Sequence, residues 1–439
     1  MEKKYAINYF IYFAIIIMVT STLFTPVTYC MASSDYLLPP PLTTDMILEE
    51  SIMRRMSIRE FTEEPVTDEE LATVLWAAHG LREDGKRTIQ KIEDDYSSII
   101  YVLKEDAAYT YNPYNHSLVH FKDGDWRDDV GWQYEAPIQL GICWNTDIKD
   151  INSAASEIGQ MCVNIYFMAN ALNLGTVACG QYNPNAIRPL GIPSNQDGFL
   201  VMPLGHPLYP YNFQYAPRLI SPLPRVQYTD VTLSEVLEKI DITNIFTGEL
   251  SNQQESQLLW ASYGYSFYFD KSDNTIGRLD RHRTIPSAHG YYPNDIYFVK
   301  ESGIYRYYPN FYNPIYGILY KMWFLPVIPF IVKIDSGDYR TTIAEAANNP
   351  EIANSPFIVI PVLDDAKAKK TYDDLSGDEW RWLWIFDGSS SANNILLEAT
   401  AQGLYGNIFL PNNTDSIKTL LKLKDDQFPL MIIPLSDTI

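Results

Sequence analysis

Arg55, Ser57 and Arg59 alternate along one short stretch, so two guanidinium forks and a hydroxyl can converge on a single anion. The chemistry that calls for this set is the grip of a terminal phosphate. Arginine stays charged and offers paired N–H donors matched to phosphate oxygens, which a neutral or flexible donor does not reproduce in a partly buried pocket. A solvated arginine pair at the end of a helix is also favoured by the helix dipole. Taken alone, the cluster leaves both readings open.

The scaffold that must position these residues is duplicated. Thr67 to Gly80 (TDEELATVLWAAHG) aligns without a gap to Ser251 to Gly264 (SNQQESQLLWASYG), and weaker matches follow both segments in the same order. At 439 residues the chain divides into two halves of ordinary domain size, 33–225 and 226–439, each able to bury its own core. A first helix is expected from Thr44 as cap, with Leu48, Ile52 and Met56 as its buried stripe. A second opens on the capping box Thr67/Glu70 and stops at Gly80, and its repeat opens on Ser251/Gln254 and stops at Gly264.

Tyrosine-rich hairpins follow, Ile99 to Leu103 with Ala108 to Tyr111, and Ile296 to Val299 with Ile304 to Tyr308. Next come a buried strand, Ile138 to Cys143, and a long helix burying Ala155, Ile158, Cys162, Ile165, Ala169 and Leu172, ended by Gly175. Phe357 to Val362 and a helix over Asn394 to Leu404 repeat this pair, and Phe199 to Leu204 and Leu430 to Leu435 close the halves. Helices alternating with hairpins indicate α+β architecture with mixed sheets rather than a purely parallel one. Pro217 to Pro224 reads as the linker. Pro309 to Tyr339, carrying Tyr312, Tyr316, Tyr320, Trp323 and Phe324, is an insertion readable as a lid or as a helix and strand packed on the core.

Composition excludes several classes. With 46% hydrophobic and 20% charged residues the chain is globular, and a net charge of −21 without a basic cluster argues against nucleic acid and anionic membrane surfaces as partners. Residues 1–32 read as an export signal, with Lys3 and Lys4 before the apolar run Ile11 to Val19 and a small-residue site at Cys30-Met31-Ala32; an uncleaved anchor is the other reading. The expected location is therefore extracytoplasmic. Cys143, Cys162 and Cys179 lack CxxC or histidine-rich spacing, so neither a disulfide framework nor a metal site is expected.

The stretch Arg283-Thr284-Ile285-Pro286-Ser287-Ala288-His289-Gly290-Tyr291-Tyr292-Pro293 changes the balance. Together with Glu157, Gly159 and Asn164, Leu174-Gly175-Thr176-Val177-Ala178-Cys179-Gly180, and Leu204-Gly205-His206-Pro207, it resembles the nitroreductase superfamily and specifically its SagB/ThcOx-type dehydrogenase branch. The resemblance covers most of residues 45 to 220 and 250 to 310. It implies two nitroreductase-like modules arranged as an intramolecular pseudo-dimer, a monomer acting as a dimer, with FMN where the halves meet.

On that resemblance Arg55, Ser57 and Arg59 hold the FMN phosphate, with Arg218 added. Pro286, Ser287, Ala288 and Gly290 border the ring, backbone amides of Ala178, Cys179 and Gly180 face its N5/O4 edge, and Arg283 pairs with the flavin or braces its turn. The first half reads Ile89-Gln90-Lys91 where Pro-Ser is expected, and the second reads Asp241-Ile242-Thr243-Asn244-Ile245-Phe246 where the phosphate cluster should be. These complementary losses imply one complete FMN site per chain. The function implied is an FMN-dependent oxidoreductase passing hydride between a small organic substrate and flavin, with an unidentified electron acceptor or donor and no assigned acid or base. The other reading is an exported binding or structural protein that keeps the fold without turnover.

Overall fold

The computed structural model describes residues 35–93, 95–130, 134–180, 187–209, 211, 213–215, 222–240, 242–266, 268–270, 282–311, 327–370 and 374–438. The export segment, Arg218, most of the Pro217 to Pro224 linker and the aromatic stretch from Tyr312 to Phe324 lie outside them. Leu37–Ile439 form one compact unit.

In the first half the elements are α1 (Leu48–Arg54), α2 (Asp68–His79), β1 (Ser98–Leu103), β2 (Ala107–Asn112), β3 (Ser117–Asp123), β4 (Ile138–Asn145), α3 (Ile151–Ala171), β5 (Gly175–Thr176) and β6 (Gln196–Gly205). The second half repeats them as α4 (Leu233–Lys239), α5 (Asn252–Tyr263), β7 (Asn294–Lys300), β8 (Gly303–Tyr308), β9 (Phe330–Ser336), β10 (Phe357–Asp364), α6 (Arg381–Ala401), β11 (Tyr405–Gly406) and β12 (Ile433–Ser436). One sheet contains the order β3-β2-β1-β4-β6-β5 and the other β9-β8-β7-β10-β12-β11, so the halves correspond strand for strand. These strands pair antiparallel, and even the irregularity in β2 between Ala108 and Tyr109 recurs in β8 between Ile304 and Tyr305. The strand of the Pro309 to Tyr339 insertion is thus β9, a third hairpin strand.

Local chemistry explains the repeat. Thr67/Glu70 and Ser251/Gln254 both close full capping boxes, tying off N–H groups that a helix start otherwise leaves unpaired. At the other end, Trp76 and Trp260 each donate an indole N–H, at 3.0 Å, to the carbonyl of Leu81 and Tyr265. A Cβ at Gly80 or Gly264 would sit 2.5 Å from the indole Cδ1, so the shared W-x-x-x-G spacing is a packing requirement.

Three expectations are corrected. Helix α1 starts at Leu48 behind Ile47 without a side-chain cap; Thr44 instead hydrogen-bonds Ser234 of the other half at 3.0 Å. Met56 is buried but lies beyond the helix. Helix α3 ends at Ala171, with Asn173 in the left-handed region at φ 59°, before Gly175 is reached. Helix α6 begins at Arg381, thirteen residues before Asn394, because Trp382, Trp384 and Phe386 all find buried positions in its first turns.

The halves join along α3 and α6. Ser389 Oγ donates to the Ser156 carbonyl and Ser390 Oγ to the Gly159 carbonyl at 3.0 Å, while Asn393 Nδ2 donates to Asn164 Oδ1 at 2.8 Å. A Cβ on Gly159 would lie 2.5 Å from the Phe386 carbonyl, so the helices cross at backbone distance. An approximate two-fold shows at α1 and α4, where Leu48 N donates to Val231 O and Leu233 N to Met46 O, each bond the mate of the other.

Candidate functional site

Helix α1 delivers the cationic cluster and β5 fixes it. Asn170 Nδ2 holds the Arg54 carbonyl at 3.2 Å, and Ile58 N donates to Thr176 O at 2.9 Å, so Arg55 to Arg59 leave the helix along a constrained path. Arg55 is 3% exposed. Its Nε donates to the Arg283 carbonyl at 3.0 Å, which brings the first-half cluster against the second-half turn. Its Nη1 is buried without a hydrogen-bond partner. A buried cationic N–H in that state has given up water without replacement and favours an anion beside it. Arg59 is exposed, with Nη1 bonded to the Ser57 carbonyl at 3.2 Å.

Tyr166 of α3, which sequence reasoning missed, organises this end. Its hydroxyl lies 3.2 Å from Ser57 Oγ and accepts the Ala178 amide at 2.7 Å, and its ring faces the Arg55 guanidinium at 5.3 Å. Burial raises its pKa, with the Arg55 cation pulling the other way. The ring-facing role expected of two amides is corrected here: Ala178 N–H is taken by Tyr166, and Cys179 N–H by the Val201 carbonyl at 2.9 Å. Gly180 sits near Leu383 of the second half. Burial pushes the Cys179 thiol up to about 12, so it packs as a small apolar group.

From the second half, Arg283 is 3% exposed and braces the turn. Its Nη1 donates to the Tyr263 carbonyl at 2.9 Å, and its guanidinium faces the rings of Tyr265, Tyr292 and Tyr263 at 4.1, 4.7 and 5.1 Å. Pro286 is buried and Ser287 and Ala288 half-buried. Ser287 Oγ accepts the Tyr292 amide at 3.0 Å, and the turn closes through His289 and Gly290 with φ of 52° and 67°. His289 itself is exposed.

Asp387, also missed, lies beneath this turn. It is fully buried with neither oxygen hydrogen-bonded, and burial raises its pKa well above the carboxylate range, the nearby Ser287 hydroxyl offsetting only part. Its repeat mate Glu157 accepts Ser97 N, Ser98 N and Ser98 Oγ and pairs with Lys149. Asp387 has none of these: it is one methylene shorter, Pro293 has no N–H, Asn294 N is spent on the Tyr263 hydroxyl, and Glu379 stands where Lys149 did. An acid whose folded pKa exceeds its unfolded one loses stability as pH rises between the two values. Asp387→Asn should therefore flatten the unfolding free energy between pH 5 and 8 by up to about 1.4 kcal/mol per pH unit, read by thermal melts across that range.

The repeat places Ile240, Ile242 and Asn244 where the first half has Arg55, Ser57 and Arg59. The register follows from Thr243 N donating to Gly406 O as Ile58 N does to Thr176 O. The equivalent positions therefore begin one residue before the expected Asp241 to Phe246 window and end two residues before its end. Gln90 and Lys91 likewise stand where Pro286 and Ser287 do, since Arg87 Nη1 meets the His79 carbonyl as Arg283 meets that of Tyr263. At this position one cleft between the halves is therefore cationic, with Arg55 and Arg59, and the other carries Ile240 and Asn244.

The chain matches the nitroreductase family over residues 52–206 and again over 249–436. It belongs to the nitroreductase family. A protein of Methanocaldococcus jannaschii carried under the name nitroreductase is 30% identical over 190 residues, 38% of this chain and 93% of its own length. A solved structure from Anabaena variabilis, also titled a nitroreductase, superposes with a TM-score of 0.62 at 13% identity over 93% of this chain and 95% of that one, which establishes shared fold across both halves. Nitroreductases are generally flavin-dependent oxidoreductases, and the family matches this chain twice. The fit of a flavin phosphate to the residues present rests on the buried, unpaired Arg55 Nη1. No group of histidine, cysteine and acidic residues suited to a metal occurs among the described residues.

Proposed function

We propose that this nitroreductase binds one FMN per chain, between the halves, and works as an oxidoreductase on a small organic substrate with a separate electron acceptor or donor. The observation that carries the reading is Arg55, bonded to the Arg283 carbonyl of the opposite half and left with a buried, unpaired Nη1. Arg55, Ser57 and Arg59 hold the phosphate, while Pro286, Ser287, Ala288 and Gly290 lie along the ring. Bound FMN supplies the two-electron chemistry. The protein's part is to anchor a dianion, present a rigid turn and brace it: Arg283 locks the turn to α5, and Tyr166 keeps Ser57 oriented.

SagB-type dehydrogenase chemistry is the finer assignment, supported by the Pro-Ser-Ala turn after Arg283. Export followed by extracytoplasmic action, as monomer, completes the proposal and rests on residues 1–32. No described helix is long and apolar enough to cross a membrane. The deciding measurement is flavin quantitation: protein reconstituted with FMN should hold one equivalent and show a flavin band bleached by dithionite. Two equivalents, or none, would overturn the proposal.

A further inference from the structure

The pseudo-symmetry mate of the proposed flavin cleft is not filled in. A cavity of about 700 Å³, within the usual range for small-molecule sites, opens between Gln90 to Glu93 of the first half and Ile240, Ile242 and Asn407 to Leu410 of the second. Those segments are the repeat equivalents of the ring-bordering turn, the phosphate cluster and the β5 exit. The cavity therefore stands at the repeat-related position of the proposed flavin cleft and differs from it in two ways.

At one end, Ile240 and Ile242 replace Arg55 and Ser57, which removes the grip on a dianionic tail. In the middle, Gln90 closes the strand: its Oε1 accepts Ile408 N at 3.0 Å, and its Nε2 donates to Ile408 O at 3.0 Å and to Asn407 Oδ1. Ile408 is the mate of Ala178, so a planar group reaching this edge would first have to break three hydrogen bonds.

What remains has its own chemistry. Arg87 lines the cavity at 8% exposure, with its guanidinium over the rings of Tyr114 and Tyr96 at 4.7 and 5.2 Å. Its Nη1 is bonded to the His79 carbonyl, while Nε and Nη2 make no hydrogen bond among the described residues. Lys91 lines the same space and has no ion pair among the described residues. In a chain of net charge −21, a cationic fork beside tyrosine rings and an isoleucine wall selects a compact anion with an aromatic body. We infer that this second cleft is a binding site for a small aromatic carboxylate lacking a phosphate. The carboxylate meets Arg87 and Lys91, and the ring lies against Ile240 and Ile242.

The site stands independently of flavin in the other cleft, and the test separates the two. Purified protein, before and after flavin loading, is titrated with 2-naphthoate and followed by the fluorescence of the probe. One saturable site per chain is expected in both forms, with 2-naphthamide at least about tenfold weaker, the loss of a charge-assisted contact. Arg87→Gln should weaken 2-naphthoate by a similar factor. Because Arg87 also braces its own turn, Lys91→Ala and the space-filling Ile242→Trp serve as second variants; both should weaken binding while one equivalent of FMN is still retained. Equal affinity for acid and amide, binding unchanged in the Lys91 and Ile242 variants, or FMN occupying this cleft as a second equivalent would each overturn the inference.

Discussion

Arg55→Ala is expected to strip flavin from the protein, lowering FMN affinity on the order of 10²–10³-fold, as removal of one partner from a buried charge pair does. The size follows from position. Arg55 is nearly inaccessible, already oriented by its bond to the Arg283 carbonyl, and presents an N–H with no other partner. Little side-chain entropy remains to be lost when a phosphate arrives. Arg59, exposed and bonded to its neighbour's carbonyl, should matter less, by about tenfold or under. Fluorescence titration of apoprotein with FMN measures both, with circular dichroism melts to verify the fold. Retention of full affinity by Arg55→Ala would remove the phosphate cradle from the first half.

Lys149→Met should destabilise the fold by about 3–5 kcal/mol, the usual cost of leaving one member of a buried ion pair alone. Lys149 and Glu157 are 2.7 Å apart with side chains 2% and 0% exposed. Burial alone would raise the Glu157 pKa, but Lys149, His79 and the hydrogen bonds together hold it below the ordinary value. Its contribution is accordingly present above the unfolded pKa and lost as pH falls through the folded one. Without Lys149 the carboxyl would prefer its proton, so the variant should recover stability on mild acidification where the parent does not. Adding Glu157→Gln should restore part of the loss. Urea unfolding at pH 5 and pH 8 gives all of these values.

The parts legible in the sequence were those whose signals are local. Capping boxes, the W-x-x-x-G spacing and the hairpins each settle within a dozen residues, and the repeat doubled every one of them. The parts that were not legible depend on long-range partners. Thr44 reads as a helix cap until Ser234, 190 residues away, is seen to take it. Tyr166 sits among apolar neighbours on a helix buried along nearly all its length, so nothing in the pattern marks its hydroxyl as the link between Ser57 and Ala178. Asp387-Gly388 followed by three serines reads as a break in helical pattern, yet those small side chains are what let α6 lie against α3. The same run hides the buried acid, whose lack of partners becomes visible only beside Glu157. The Pro-Ser turn and the arginine cluster each stand in only one half of the sequence, but the Gln90 clasp depends on which strand faces it.

Because Gln90 and Pro286 occupy equivalent places in one polypeptide, the two clefts can mutate separately. In an assembly of identical subunits every substitution is written into both clefts at once, so a change that plugs one plugs its twin and the catalyst is lost. Joining the modules end to end lifts that constraint: a glutamine that seals one opening leaves the other untouched. Lopsidedness of this kind is closed to a pair of identical subunits and open to one reading frame that spells out both sides.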